Sequence, residues 1–256
     1  MRLLRRTIEV LKKQGPREVA VKAGWTVRNA CIQLGQRSRA PALRRHLARG
    51  LPRTVDGVLD FLWSPAAGLI KPAQIRAEFE SLLRLAFATP PRRVMEIGTY
   101  NGGSLCAFTA LAADDADIIS LDLPGGHFLG GYSEWKGSLY RDFARPGQKM
   151  HLVRADSHDP ASLARVKDIR AGEQLDFLLV DGDHSYEGVK LDHKMYGPLV
   201  RPGGVIVFHD IANPLPEVGL AVARYWNEIK SGLDHREFVH RDDALGMVGI
   251  GAAMVR

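Results

Sequence analysis

The chain has 256 residues, 45% of them hydrophobic and 25% charged, a composition that is typical of globular proteins and excludes wholesale disorder. Its two cysteines, Cys31 and Cys106, cannot form a disulfide framework or a four-cysteine zinc site, which indicates a reducing, cytoplasmic location. The net charge of +6 comes from residues 1–50, which hold 13 Lys and Arg against two acids, so the slightly acidic remainder predicts no binding to nucleic acid.

The first 13 residues carry the pattern of a basic amphipathic helix, which Gly15-Pro16 ends. Such a helix either lies at the surface of an anionic membrane or packs on its own domain or on a partner subunit of a homo-oligomer, and both interpretations stay open. No run approaches the roughly 18 apolar residues of a membrane span. We assign residues 1–70 to a basic, mainly helical extension and residues 71–256 to the main domain.

Residues 71–256 alternate between helix and strand patterns. Apolar residues repeat at helical spacing from Ile75 to Phe87. Apolar runs then predict strands at 93–97, 117–121, 151–155, 175–180, 204–208, 236–240 and 247–250, and helices at 103–113, 160–169, 185–199 and 217–230. This alternation indicates an α/β fold with a doubly wound, seven-stranded, mostly parallel and Rossmann-like sheet. Because only a short turn joins the last two strands, they are expected to be antiparallel.

Acidic side chains follow three of the predicted strands. Glu96 opens the glycine-rich turn Glu-Ile-Gly-Thr-Tyr-Asn-Gly-Gly-Ser, Asp122 ends the second strand, and Asp156-Ser157 follows the third. Ligands in such sheets bind outside the carboxyl ends of the strands. The glycines let the backbone approach a ligand, and the first N–H groups of the next helix are free to bind it. A carboxylate such as Asp122 can accept both hydrogen bonds of a ribose diol.

The acid-x-Gly-x-x-x-Gly turn resembles that of the class I S-adenosylmethionine-dependent methyltransferases, whereas the dinucleotide fingerprint Gly-x-Gly-x-x-Gly is absent. The resemblance implies that the turn meets the amino-acid end of S-adenosylmethionine, Asp122 its ribose and Asp156-Ser157 its adenine. The expected cofactor-binding residues are Glu96, Gly98, Asn101, Gly102, Ser104, Asp122, Asp156 and Ser157. The alternative is that the acids are ordinary strand-end caps.

Two further carboxylates follow the fourth and fifth predicted strands. Asp181 begins the run Asp-Gly-Asp-His-Ser-Tyr-Glu, and Asp210 ends the run Val-Phe-His-Asp. Adjacent parallel strands bring both to one rim, where two carboxylates repel each other unless a proton or a cation lies between them. Oxygen ligands suit Mg²⁺ or Mn²⁺, which would bind a vicinal diol and lower the pKa of the reacting hydroxyl. His184 would then accept the proton as the catalytic base.

The segment from Asp181 to Asp210 is similar to that of the bacterial metal-dependent sugar and macrolide O-methyltransferases, and more distantly to cephalosporin-hydroxylase-type proteins. The whole resemblance covers residues 92–251. It implies that Asp181, Asp210 and a third acid hold Mg²⁺ and that His184 is the base.

His209 stands where the third acid is expected, which leaves several interpretations open. His209 is the third metal ligand, or Asp183 substitutes for it, or His209 is itself the base. The structural alternatives are that His184 only caps a helix and that His209 only donates a structural hydrogen bond.

The long stretch between Asp122 and His151 carries no clear strand pattern. Its glycines indicate mobility and its rings, at His127, Phe128, Tyr132 and Trp135, offer surfaces for an acceptor, so it is expected to be a lid over the cofactor or, alternatively, a packed connector.

The expected function is methyl transfer from S-adenosylmethionine to a hydroxyl of a sugar or glycosylated natural product, a small-molecule or saccharide acceptor. One alternative is a catechol- or phenol-type O-methyltransferase. Another is a non-catalytic cofactor-binding protein that docks through its basic first 50 residues.

Overall fold

The computed structural model describes residues 34–125, 131–212, 221–241 and 248–256. The chain divides between Ala42 and Leu43 into two compact units, and residues 34–42, the described part of the first, are helical. The amphipathic helix predicted over the first 13 residues lies outside the described residues. Within the described ranges, no helix is both long and apolar enough to cross a bilayer. The boundary expected after residue 70 stays a prediction.

The second unit is built on one seven-stranded sheet, which confirms the predicted fold class. The strand order is β3-β2-β1-β4-β5-β7-β6. The first five strands pair in parallel, and β7 is antiparallel to both of its neighbours. The strands are β1 (Arg93–Ile97), β2 (Asp117–Asp122), β3 (Lys149–Arg154), β4 (Leu175–Val180), β5 (Val200–His209), β6 (Asp234–Phe238) and β7 (Ile250–Met254).

The α-helices described within residues 55–229 comprise two that precede β1 and five that lie between successive strands from β1 to β6. They are α1 (Val55–Leu62), α2 (Arg76–Ala86), α3 (Gly103–Leu111), α4 (Glu134–Arg141), α5 (Pro160–Arg170), α6 (Tyr186–Tyr196) and α7 (Val222–Ile229). Side-chain caps begin three of them: Thr54 accepts a hydrogen bond from the Gly57 N–H before α1, and Asp159 and Ser185 do the same before α5 and α6. α4 was not predicted, because its short stretch follows a glycine-rich segment and has no extended apolar period.

β7 begins three residues later than predicted. The expected strand covered residues 247–250, whereas the observed strand covers Ile250–Met254. The strand consists largely of small residues, so β-propensity does not indicate its position. A Cβ on Gly251 would lie 2.7 Å from the Trp226 ring, so glycine is needed where this large core side chain packs against the strand. The predicted antiparallel pairing of the last two strands is confirmed.

The parallel register sets the carboxyl ends of the central strands level with one another. Ile97 pairs with Leu121 on one side and with Val180 on the other, and Val180 pairs with Phe208. The residues that follow these strands therefore meet at one edge of the sheet, which we call the carboxyl rim, defined by the ends of β1–β5. All three predicted strand-end acids and both predicted chemical carboxylates lie along this rim.

Candidate active site at the carboxyl rim

The turn after β1 is pressed against the end of β4. Gly98 has a φ of +89°, and a Cβ there would lie 1.9 Å from the carbonyl oxygen of Asp181. Gly102 has a φ of +86°, and a Cβ there would lie 2.5 Å from the Tyr140 ring. Both positions therefore require glycine, for conformation and for space. The turn brings the predicted cofactor half and the predicted chemical half of the rim into contact.

Glu96, the acid that opens this turn, is almost completely buried. It is 1% exposed, and neither carboxylate oxygen has a well-formed hydrogen bond to a described residue. Burial raises the pKa of Glu96 from 4.5 to about 8, and the hydroxyls of Thr99 and Ser104 offset only part of that rise. Because a buried unpaired carboxyl group is costly, the position suits a ligand that brings a hydrogen-bond donor or a cationic amino group.

Asp122 holds the backbone of the glycine-rich turn. Its Oδ2 accepts hydrogen bonds from the N–H groups of Thr99 (2.9 Å) and Tyr100 (2.8 Å), and its Oδ1 accepts one from Leu123 (2.8 Å). Burial raises the pKa of Asp122, and these backbone donors oppose the rise. A carboxylate accepts about four hydrogen bonds, so little capacity is left for the two ribose hydroxyls that Asp122 was expected to bind.

Asn101, at the tip of the same turn, contacts a lysine that the sequence pattern did not reveal. Lys136 of α4 is 5% exposed, and its Nζ donates to Asn101 Oδ1 at 3.1 Å. Burial lowers the pKa of Lys136 to about 8, while the charge of Asp122 opposes the fall. The cofactor corner thus contains an amine as well as acids.

Asp156 and Ser157 lie on the rim beside the end of β2. The Ala155 N–H donates to the Asp122 carbonyl at 2.8 Å, which fixes the start of their turn. Asp156 Oδ1 accepts the His158 N–H at 2.9 Å, and the Ser157 carbonyl accepts the Tyr196 hydroxyl at 2.8 Å. The turn is ordered by these bonds, and its contact with adenine stays a prediction.

Tyr132 was expected to offer a surface to an acceptor, but the structure does not place it where an acceptor could reach it. It is buried, with its ring centroid 4.9 Å from that of Tyr140. This part of the predicted lid is therefore a packed connector, because the Tyr132 ring belongs to the core beneath α4. His127 and Phe128 lie outside the described residues.

Asp181, His184 and Asp210 form a compact cluster on the other half of the rim. His184 bridges the two acids: its Nε2 lies 3.2 Å from Asp181 Oδ1 and its Nδ1 lies 3.1 Å from Asp210 Oδ2. Asp210 has a φ of +62°, a conformation that non-glycine residues rarely adopt and that is often held at functional sites. The sequence prediction that these three residues meet is in agreement with this geometry.

His209 and Gln74 complete the surroundings of Asp181. His209 Nδ1 lies 3.1 Å from Asp181 Oδ1, and Gln74 Nε2 donates to Asp181 Oδ2 at 3.0 Å. The His209 Nε2 is buried without a hydrogen-bond partner among the described residues. Gln74 was not predicted, because it precedes α2 and no local sequence pattern marks this polar residue as buried.

The charges of this cluster are strongly coupled. Burial alone would lower the pKa of His184 and of His209, but the charges and hydrogen bonds of the acids raise both to about 9. The two imidazoles in turn hold the pKa of Asp181 well below its usual range against the effect of burial. Burial raises the pKa of Asp210. Without a further ligand, the two carboxylates are therefore balanced by protons on the imidazoles.

The donor set of the cluster fits a divalent cation. Asp181, His184 and Asp210 each offer one ligand atom, and these atoms lie within 4.8 Å of one another. Two carboxylate oxygens and one imidazole nitrogen are acceptable to Mg²⁺ and, with its greater tolerance for nitrogen, to Mn²⁺. His184, predicted as the base, thus stands in a ligand position, and His209, predicted as a ligand, is not in this trio. Both role assignments stay predictions.

Residues 95–211 match the sequence model of a family described as a methyltransferase domain. An uncharacterized protein of Sinorhizobium fredii is 32% identical over 149 residues, 57% of this chain and 16% of the relative. An uncharacterized protein of Acanthamoeba polyphaga mimivirus is 30% identical over 140 residues, 54% of this chain and 61% of the relative. The chain therefore spans less than two thirds of either relative.

A solved structure shares the fold. The O-methyltransferase TomG of Streptomyces achromogenes, in complex with S-adenosylmethionine, superposes with a TM-score of 0.55 at 18% identity, over 78% of this chain and 88% of that chain. At this level of identity the similarity concerns the fold.

Proposed function

We propose that the chain, of which residues 95–211 match a methyltransferase-domain model, is a class I methyltransferase that transfers a methyl group from S-adenosylmethionine to a hydroxyl oxygen of a small molecule. The observation that carries the proposal is the carboxyl rim itself. Glu96, a buried acid that has no well-formed hydrogen bond to any described residue, lies behind a turn whose glycine touches Asp181, the centre of the acid–imidazole cluster. A cofactor seated on that turn is thereby placed next to groups that can activate a hydroxyl.

The cofactor half supplies binding and orientation. Glu96 accepts hydrogen bonds from the amino group of the methionine moiety, which relieves the cost of its burial. Ser104, in the first turn of α3, and the free N–H groups of that turn face the carboxylate of the same moiety. Asp156 and Ser157 meet the adenine edge. TomG, whose structure contains S-adenosylmethionine, supports this choice of cofactor through its shared fold.

The chemical half activates the acceptor hydroxyl. In the transfer, a C–O bond forms as the C–S bond of the sulfonium breaks, and the hydroxyl proton leaves for a base, so alignment of oxygen, carbon and sulfur decides the rate. A divalent cation held by Asp181 and Asp210 would supply positive charge that lowers the pKa of that hydroxyl. His184 is the proposed base: when the charges of Asp181 and Asp210 are neutralised, its pKa falls and a ring nitrogen becomes free to accept the proton.

We assign the acceptor to the vicinal diols, as found on sugars and glycosylated natural products. The support for this choice is the pair of carboxylates bridged by His184: a cation held by Asp181 and Asp210 would bind two neighbouring oxygens, one to be methylated and one to be held. A catechol presents the same pair of oxygens on a flat ring, so the experiment below compares sugar diols with catechols.

The test uses cofactor with a labelled methyl group and a panel of sugar diols and catechols, with Mn²⁺, with Mg²⁺ and with EDTA. Transfer to a sugar diol is expected, with activity lost in EDTA. Transfer to catechols alone would mean that the acceptor is a catechol and not a sugar. Full activity in EDTA would mean that the reaction needs no metal ion.

His184→Ala is expected to reduce kcat by about a hundredfold or more, the usual contribution of a general base, with little change in the Kd of the cofactor. The matched control is His151→Ala, which removes a histidine from β3 at the far side of the sheet and is expected to leave kcat unchanged. Unchanged turnover in His184→Ala would transfer the role of base to another group, His209 being the nearest imidazole to Asp181.

A further inference from the structure

Lys136 is a buried amine with unused hydrogen-bonding capacity. Its ammonium group has three N–H donors, and within the described part of the chain it has one side-chain acceptor, Asn101 Oδ1 at 3.1 Å. Among the described residues, it forms no ion pair within 4.0 Å, although it is 5% exposed. A buried cation with unpaired donors is costly, so this site suits a ligand that brings oxygen acceptors.

α4 holds Lys136 firmly beside the glycine-rich turn. The Tyr140 hydroxyl, one turn along the helix, donates to the Tyr100 carbonyl at 2.8 Å, and the Tyr140 ring lies where a Cβ on Gly102 would be. Lys136 is therefore not a mobile surface lysine that reaches the turn by chance. Its amine is placed by the packing of a helix against the turn.

The neighbouring acid lacks what Lys136 provides. Asp122 accepts backbone hydrogen bonds from Thr99, Tyr100 and Leu123, and a hydrogen bond from the Gly131 backbone also lowers its pKa, so its acceptor capacity is used. A carboxylate also cannot donate a hydrogen bond to the oxygens of a diol. Lys136 and Asp122 both contact the glycine-rich turn, Lys136 through Asn101 and Asp122 through Thr99 and Tyr100, and the charge of Asp122 raises the pKa of Lys136.

We propose that Lys136 binds the cofactor, donating hydrogen bonds to the ribose hydroxyl oxygens while Asn101 Oδ1 receives a ribose O–H group. The inference rests on the proposed function, since it needs a nucleoside cofactor on this turn. It adds to the site a residue that lies outside the glycine-rich turn and outside the strand ends. At neutral pH the pKa of Lys136, near 8, still leaves the amine mainly charged and able to donate.

The experiment measures, by calorimetry, the binding of S-adenosylhomocysteine and of its 2′,3′-dideoxy analogue to the full chain and to Lys136→Met. Lys136→Met is expected to weaken binding of S-adenosylhomocysteine about tenfold, the effect of losing roughly one charge-assisted hydrogen bond. The dideoxy analogue is expected to bind the full chain and the variant with the same affinity. Lys167→Met, which removes an exposed lysine on α5, is the control and is expected to bind as the unmodified chain does.

Two results would overturn the inference: unchanged affinity of Lys136→Met for S-adenosylhomocysteine, or an equal loss of affinity for both ligands, which would make Lys136 a support for the turn only. Should the methionine variant fail to fold, Lys136→Leu, which likewise carries no hydrogen-bond donor, replaces it in the same comparison. If the unmodified chain binds neither ligand, the proposed function fails, and that outcome is distinguishable from failure at Lys136 alone.

Discussion

Among single residues, Glu96 is expected to make the free energy of unfolding depend on pH, because its burial raises its pKa. In the unfolded chain its carboxyl group ionises near pH 4.5, whereas in the folded protein its pKa is about 8. Between these values the folded state binds the additional proton, so the free energy of unfolding falls as the pH rises through this window and the loss is complete above pH 8.

Glu96→Gln is therefore expected to remove a few kcal/mol of pH dependence between pH 5 and 8, about 1.4 kcal/mol for each pKa unit of the shift. Urea unfolding of both proteins across this range measures it, and the control is Glu187→Gln, an exposed acid at the start of α6. Parallel stability curves for the unmodified chain and Glu96→Gln would mean that Glu96 is ionised in the folded state.

Asp122 tests whether a strand-end acid supports the turn. Asp122→Ala leaves three backbone N–H groups without their acceptor, and it is expected to lower the free energy of unfolding by about 3 kcal/mol in the absence of cofactor. Asp156→Ala removes an exposed acid with one such bond and is expected to cost less than about 1 kcal/mol. Equal losses in urea unfolding would contradict a special role of Asp122 in holding the turn.

The residues that could be predicted from sequence are those whose position follows from strand ends. Asp181 and Asp210 meet because adjacent parallel strands end together, an inference that needs no knowledge of side-chain packing. Lys136 and Gln74 could not be predicted, because each reaches the rim through the packing of a segment that is distant in sequence. What Asp122 binds in the free protein also depends on the path of the turn, which composition does not specify.

Among the secondary-structure elements, the contact between the turn after β1 and the end of β4 holds the proposed cofactor site next to the acid–imidazole cluster. Gly98→Ala places a Cβ 1.9 Å from the Asp181 carbonyl oxygen, so it is expected to lower the free energy of unfolding by more than about 3 kcal/mol.

The matched control is Gly172→Ala, which has nearly the same φ, +88°, but open space around its Cβ. It isolates the conformational cost, expected to be about 1–2 kcal/mol. Urea unfolding compares the two variants. Similar losses in both would mean that the turn after β1 can move away from β4.

The elements themselves could be predicted where their patterns are long. The five parallel strands and the helices α2, α3, α5 and α6 follow runs of apolar residues whose period decides between helix and strand. β7 was displaced and α4 was missed for the same reason: both are short, and their residues are selected by contacts with Trp226 and with the glycine-rich turn rather than by periodicity.

In the molecule as a whole, the proposed cofactor site and the acid–imidazole cluster lie at the ends of two different groups of strands. The ends of β1, β2 and β3 carry the groups proposed for the cofactor, and the ends of β4 and β5 carry the acid–imidazole cluster. Gln74, which precedes α2, joins this cluster from outside the matched domain of residues 95–211. The proposed active site therefore needs the region before β1 as well as the sheet.

Binding of S-adenosylmethionine is tested by a calorimetric titration of the purified chain with this cofactor at two temperatures. The second temperature is needed because binding releases no heat at a temperature where its enthalpy is zero. We expect saturation at one molecule per chain, and a melting temperature that rises with ligand concentration, since the ligand binds only the folded state. A folded chain that shows neither heat at either temperature nor any shift in melting temperature would contradict it.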